Sequence, residues 1–366
     1  MKFASIRHTI GRVAAGLFCA SVVMAGANGA VSAKDTVNIS NFSWPGYSWL
    51  FIAKEKNLAP DLDINIEVIE DPIQSFSMIA SGQLDATLST AEFGPIATEQ
   101  EMPFKTVGFN NFSCGIDRII LHPDITDPQQ LKGERVAVME GGLSHIFMGL
   151  WLERNGISHE EVEFVNLIMD DAAAAMIGGD VMAGEFWEPY GSQVLDNLEG
   201  SWAAASTDEP FFMKTGLLSD AIFFSDDLIN NRRDVAVKLL KAMFDGQAYW
   251  QANPAEANQI VAEQMQFSLE DVESILGANA GYCAHGLYLG TFMTAATFCG
   301  AAPGEPGHQM VNGGIAGSWR LINDWWLKLG LMENEVAPES GLDCSLLKEL
   351  YDSGYRGAET PAAAFN

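Results

Sequence analysis

Residues 178–191 read GGDVMAGEFWEPYG and crowd Glu185, Trp187, Glu188 and Tyr190 into six positions. An indole set between carboxylates offers a flat π face beside anionic acceptors. That combination suits an unsaturated or cationic ligand carrying N–H donors, each cation–π contact contributing about 0.5–2 kcal/mol. A second candidate lies upstream, where Gly141-Gly142 precede Ser144 and His145 at the head of an apolar helical pattern. Free backbone N–H groups and the positive end of the helix dipole attract a carboxylate or sulfonate there. A zwitterion or an amino-bearing ring would satisfy both features. Covalent chemistry is served less well. Gly142-Leu143-Ser144-His145-Ile146 lacks the second glycine of a nucleophile elbow, and no HExxH, P-loop or GxGxxG motif occurs. The enzymatic alternative has Glu185 or Glu188 as a general base. No cofactor is expected.

These side chains need elements that deliver them to one place. Gly178-Gly179 end a helix where positive φ is cheap only for glycine. A strand over Val181 to Phe186 then brings Trp187 to its carboxyl end, and Pro189 stiffens the exit. The same phrase occurs about a hundred residues earlier. DINIEVIE reads as a strand, DPIQSFSMIASG as a helix with Asp71 at its N-cap and Gly82 beyond its end, and LDATLST as a strand. Aligning Gly82 with Gly179 sets Thr90 on Trp187, Ala91 on Glu188 and Phe93 on Tyr190. Strands alternating with short helices predict an α/β fold with largely parallel sheets, in two similar halves. Ligands of such sheets bind outside the carboxyl ends of the strands. Beyond residue 230 the pattern turns helical, with helices over 231–253, 254–265, 268–276 and 315–330. The tryptophans of the last helix read as core. Residues 281–314, rich in glycine and aromatics, read as an irregular excursion.

Lys2, Arg7 and Arg12 precede the apolar run Val13 to Ala25, and Val31-Ser32-Ala33 fits a small-residue cleavage site. Residues 1–33 therefore read as a secretory signal peptide. Phe18 before Cys19 argues against a lipoprotein. The chain carries 20 basic and 48 acidic residues. Without the three leader cations its net charge moves from −28 to −31, which argues against nucleic acid and anionic membranes as partners. Cys114, Cys283, Cys299 and Cys344 lie beyond the leader. Four cysteines allow three pairings, and Cys283 with Cys299 is the local choice. No CxxC or Cys/His cluster has metal spacing, so no metal is expected.

Taken in order, SWPGYSWLFIAKEKNL, SGQLDATLSTAEFGP, LKGERVAVMEGGLSHIFMGLWLERNGIS and GGDVMAGEFWEPY resemble the substrate-binding proteins of nitrate/sulfonate/taurine-type (NitT/TauT) ABC importers, over roughly residues 36–275. Met182 stands where that family usually has Asp. The resemblance implies the type 2 periplasmic binding fold, with two α/β lobes, each a mainly parallel sheet flanked by helices, and a ligand cleft between them. Residues 34–117 would open lobe 1, 118–218 form lobe 2, and 219–366 make the mainly helical return to lobe 1. A membrane permease and a cytoplasmic ATPase are the implied partners. Trp44 and Tyr47 flank a Pro-Gly turn that aligns with the family's ligand loop. Glu92 and Phe93 directly follow a strand. Asp117 lies where the chain would first cross lobes and Asp220 where it would return. With Ser144, His145, Trp187, Glu188 and Tyr190 they form the expected ligand set. So much aromatic surface is too large for nitrate. The expectation is a monomeric periplasmic protein that binds a small nitrogen-containing polar organic ligand: a zwitterion such as an amino-sulfonate, or an amino-bearing heterocycle such as a pyrimidine. A ligand receptor for a sensory system is a further alternative.

Overall fold

Alternation writes the first strands. In β1 (Asp35–Asn41) Val37 and Ile39 are buried, and in β2 (Leu62–Val68) Leu62 and Ile64 are buried while Asp63 and Asn65 face solvent. The two pair in parallel from Asp35 against Leu62. The protein is described by a computed structural model over residues 34–277, 287–303 and 313–358.

The first sheet has the order β11-β4-β10-β3-β1-β2, adding β3 (Ala86–Thr90), β4 (Phe104–Ser113), β10 (Ser219–Ser225) and β11 (Leu287–Leu289). The second has the order β7-β6-β8-β5-β9, from β5 (Arg118–Leu121), β6 (Arg135–Val138), β7 (Glu163–Asn166), β8 (Ala183–Phe186) and β9 (Trp202–Ser206). The α/β class holds, but both sheets are mixed rather than mainly parallel. In the first, β1 pairs in parallel with β2 and β3 while β10 runs antiparallel to β3 and β4. In the second, β6 is parallel to β7 and β8, whereas β5 is antiparallel to β8 and β9. Of the reversed strands, β5 and β10 are those by which the chain enters a sheet after crossing, from β4 to β5 and from β9 to β10, while β11 runs antiparallel to β4 at the sheet edge without a crossing.

Helices α1 (Trp49–Glu55), α2 (Pro72–Ala80) and α3 (Phe93–Glu99) belong to the first half, and α4 (Leu143–Arg154), α5 (Met169–Gly178) and α6 (Tyr190–Asn197) to the second. Their ends follow their residues. Asp71 accepts a hydrogen bond from the Ile73 N–H at 2.9 Å, and Gly179 closes α5 at φ +79°. Short α7 (Pro210–Met213) and α8 (Asp226–Asn231) lead into α9 (Arg233–Ala252), α10 (Pro254–Met265) and α11 (Leu269–Leu276). The described parts of the expected excursion form β11 and α12 (Phe292–Phe298), so it is not wholly irregular. They are followed by α13 (Gly314–Lys328), α14 (Pro338–Gly341) and α15 (Ser345–Asp352).

The core of the first sheet joins β1, β4 and β10 to α1, α9 and α10. That of the second takes in Phe147, Trp151 and Leu121, and also Ile322, Trp325 and Trp326 of α13. Helix α13 thus packs with the second sheet, while its Trp319 lies against Gly94 at the start of α3. A disulfide joins Cys299 to Cys344 with a Cα separation of 5.9 Å. This corrects the local pairing of Cys299 with Cys283, which lies outside the described residues. The packing of α12 on α15 brings the two cysteines together across 45 residues. No helix among the described residues is long and apolar enough to cross a membrane.

Candidate functional site

The ends of β1, β3, β4 and β8, with both crossings between the sheets, converge on one cavity of about 120 Å³. Beyond β1 the chain turns through a 3-10 segment, Pro45–Tyr47. A Cβ on Gly46 would lie 2.6 Å from the Trp44 indole nitrogen and 2.9 Å from Asn111 Nδ2, so only glycine admits this turn. Asn110 and Asn111 of β4 both donate to the Gly46 carbonyl. The anchored turn aims Trp44 and Tyr47 into the cavity, and Tyr47 Oη donates to Asp220 Oδ1 at 2.8 Å.

Glu92 follows β3 and is 1 % exposed. Thr90 Oγ1 donates to its Oε1 at 2.7 Å, and Trp326 of α13 donates its indole N–H to the Glu92 carbonyl at 2.9 Å. Burial pushes the Glu92 carboxyl up to about 8. Hydrogen bonds from Thr90 and from the backbone amides of Glu92 and Leu143 pull it down, while the charge of Asp220 adds to the rise. Asp220, on β10, is pushed up to about 7, first by burial and also by Asp117. Hydrogen bonds from Tyr47, Asn111 and Trp44 offset part of that rise.

Asp117 occupies the crossing from β4 to β5. Its backbone N–H donates to Ser113 Oγ at 3.1 Å, and Ser113 Oγ bonds Thr207 Oγ1 at 2.6 Å. The Thr207 N–H donates back to the Asp117 carbonyl at 3.1 Å, tying the two crossings together. Burial raises the Asp117 carboxyl, with Ser113 and Arg118 acting against the rise. Glu185 projects from β8 and is 1 % exposed. No N–H or hydroxyl donor among the described residues reaches either of its oxygens, and the group it meets is the Asp117 carboxyl. Burial raises it well above the usual carboxylate range, and the Asp117 charge raises it further.

Of the expected ligand residues, the cavity is lined by Trp44, Tyr47, Glu92, Phe93, Asp117, Ser144, Trp187 and Asp220. Three do not line it. His145 turns into the core against Phe164, its ring centroid 4.6 Å away, because one step along a helix rotates a side chain by about 100°. Burial pushes it down to about 4, so its ring is neutral at pH 7. Glu188 is engaged by Arg118 and accepts from Ser192 Oγ at 3.0 Å. Tyr190 opens α6 and meets the Trp187 ring edge-on at 6.1 Å. Ser144 faces the cavity while its hydroxyl accepts from the Met139 N–H at 2.8 Å, holding the β6–α4 turn. The lining also includes Phe42, Ser113, Met139 and Asn111, outside the expected ligand set, together with Glu185. An acidic residue inside the apolar strand AGEF was the available signal for Glu185. Asn111 had none, since β4 shows no clean alternation.

Two mixed α/β sheets that share one cleft at their strand ends define a periplasmic binding protein fold. The chain belongs to the NMT1/THI5-like family, whose model matches residues 44–257. A Bacillus subtilis (strain 168) protein provisionally named for aliphatic sulfonates is 28% identical over 247 residues, covering 62% of this chain and 69% of its own. The alkanesulfonate-binding protein SsuA of Xanthomonas axonopodis pv. citri, solved bound to MOPS, superposes with a TM-score of 0.64 at 16% identity, over 85% of this chain and 99% of that one. The periplasmic nitrate-binding protein NrtA of Synechocystis PCC 6803 superposes at 0.63 with 13% identity, over 87% and 89% of the two chains.

Proposed function

We propose that this chain is the periplasmic solute receptor of an ABC importer, handing its ligand to a membrane permease coupled to a cytoplasmic ATPase, and acting as a monomer. The family and the fold of its structural neighbours support that role. For the ligand, one observation carries the reading. Glu92, Asp117, Glu185 and Asp220 line the cleft among aromatic rings, and no Lys, Arg or His lines it among the described residues. Sulfonate and nitrate, the anions in the neighbours' names, would meet carboxyl groups in that lining and no cationic side chain among the described residues. A nitrogen-bearing ligand with N–H donors complements it, stacking on Trp44 and Trp187. With no cationic side chain in the lining among the described residues to neutralise a sulfonate, an amino-bearing heterocycle is favoured over an amino-sulfonate. Native mass spectrometry of protein purified without refolding tests the reading. A small organic base retained at one per chain and recovered unchanged is expected. A retained sulfonate, or sustained turnover of the recovered compound with Glu185 as base, overturns it.

A further inference from the structure

We propose that the ligand-free cleft holds a proton on the Asp117–Glu185 pair and that an organic cation displaces it, so that capture exchanges one cation for another. The proposal rests on the reading of the cleft as a site for a nitrogen-bearing ligand. Its ground is geometric. Glu185 sits on β8, between β5 and β6 in the middle of the second sheet, lining the cavity with no N–H or hydroxyl donor on either oxygen among the described residues, and its neighbour is the Asp117 carboxyl. An isolated buried carboxylate is far more costly than a neutral carboxyl or a paired one, and two adjacent carboxylates cannot both ionise cheaply.

Among the described residues that line the cleft, none supplies a positive charge to the pair. The 3-10 turn contributes Tyr47, the β3 end Glu92, and β10 Asp220, all neutral or acidic. From α4 come Leu143 and Ser144, with the His145 ring turned away and neutral. Among the described residues Arg118 on β5 is the cation that acts on Asp117, and its guanidinium is held by Glu188 and Ser192. Its charge lowers Asp117 less than the hydrogen bonds do, and burial still prevails. No three carboxylates among the described residues are arranged to hold a metal ion. The complementary cation is therefore extended and organic, its ring against Trp44, Phe93 or Trp187 and its N–H groups toward Glu185 and Asp117. On binding, the carboxyl O–H breaks, the proton passes to solvent, and the carboxylate accepts the ligand's N–H.

Three flat probes of similar size separate the outcomes: 4-aminopyridine, a cation at neutral pH, aniline, which is neutral, and benzenesulfonate, an anion. Calorimetric titration at pH 7 in phosphate and in Tris reads proton release from the difference in buffer heat. The 4-aminopyridinium ion is expected to bind best and to release about one proton, its affinity rising about tenfold per pH unit while the pair still holds its proton. Glu185→Gln should bring release near zero and weaken the probe about tenfold, with Glu185→Asp restoring part of both. Cation binding without proton release overturns the exchange and leaves the nitrogen-ligand reading standing. Preference for benzenesulfonate overturns both. A carboxyl 13C NMR titration of ligand-free protein gives a reading free of any probe. Glu185 titrating within the ordinary glutamate range overturns the proposal even if none of the three binds.

Discussion

Trp187 is half-buried at the end of β8 and packs beside the cores of both sheets, yet one face lines the cleft. Trp187→Ala should weaken binding of the retained ligand by about 1–3 kcal/mol, the loss expected for a stacked ring and its buried area. Unliganded stability should fall by less than the roughly 3–5 kcal/mol of a core tryptophan. Calorimetric titration and melting of the same variant check both; intact affinity with a collapsed melting temperature would make the residue structural. Glu92 gives a pH prediction. Its folded carboxyl is raised from 4.5 to about 8, so the folded state binds the proton more tightly than the unfolded chain. That contribution is complete below the unfolded value and is lost as pH rises through about 8. Ligand-free protein should therefore lose stability between pH 5 and pH 8, and Glu92→Gln should flatten that slope. Denaturant titrations across the range decide it, and identical slopes would show that Glu92 does not hold its proton.

At the scale of elements, α1 sits where it does because α9 admits it. A Cβ on Gly246 would fall on the carbonyl oxygen of Trp49 and lie 2.9 Å from its carbon. Trp49 and Trp250 meet beside this crossing with centroids 5.7 Å apart, and Trp250 Nε1 donates to Asn258 Oδ1 at 2.6 Å. Backbone atoms cannot yield as a flexible side chain can, so Gly246→Ala must push the helices apart. About 1–3 kcal/mol of destabilisation is expected from such overpacking. Because α1 continues directly from the turn that carries Tyr47, the same variant should also weaken ligand binding. Chemical denaturation together with ligand titration tests this. An unchanged midpoint would mean that the crossing is looser than the packing indicates.

For the whole molecule, the chain passes between the sheets at residues 114–117 and 207–218, and hydrogen bonds from Ser113 and Thr207 tie these passages together. Rotation about the tied passages would let the halves close on a ligand, as in other domain-closing binders. Helix α13 limits the path: Trp325 lies against Gly149 of α4, and Lys328 is paired with Glu153 at 2.5 Å. Movement of the second sheet should therefore carry α13 with it, against α3. Small-angle scattering with and without ligand should show a smaller radius of gyration in the bound protein. An unchanged radius, with binding confirmed independently, counts against closure.

The α/β alternation, the helix ends at Asp71 and Gly179, and the arrival of Trp187 at a strand's end were legible in sequence order. They depend on neighbours within a few residues: periodicity, capping and the conformational freedom of glycine. Composition likewise set the acidity of the chain, and the order of four stretches pointed to the fold. Tertiary structure decided what depends on distant partners. Cys299 meets Cys344 only because α12 packs on α15, which no local spacing reveals. The reversed strands β5 and β10 follow the two crossings, and α13 joins the second core from more than a hundred residues beyond its last strand. The acidic cleft has the same origin. Glu92, Asp117, Glu185 and Asp220 are spread across 129 positions, and each alone reads as a cap, a loop acid or a surface charge. Folding brings them around one cavity and removes their water, and that desolvation raises the carboxyls of four acids that look ordinary in the sequence.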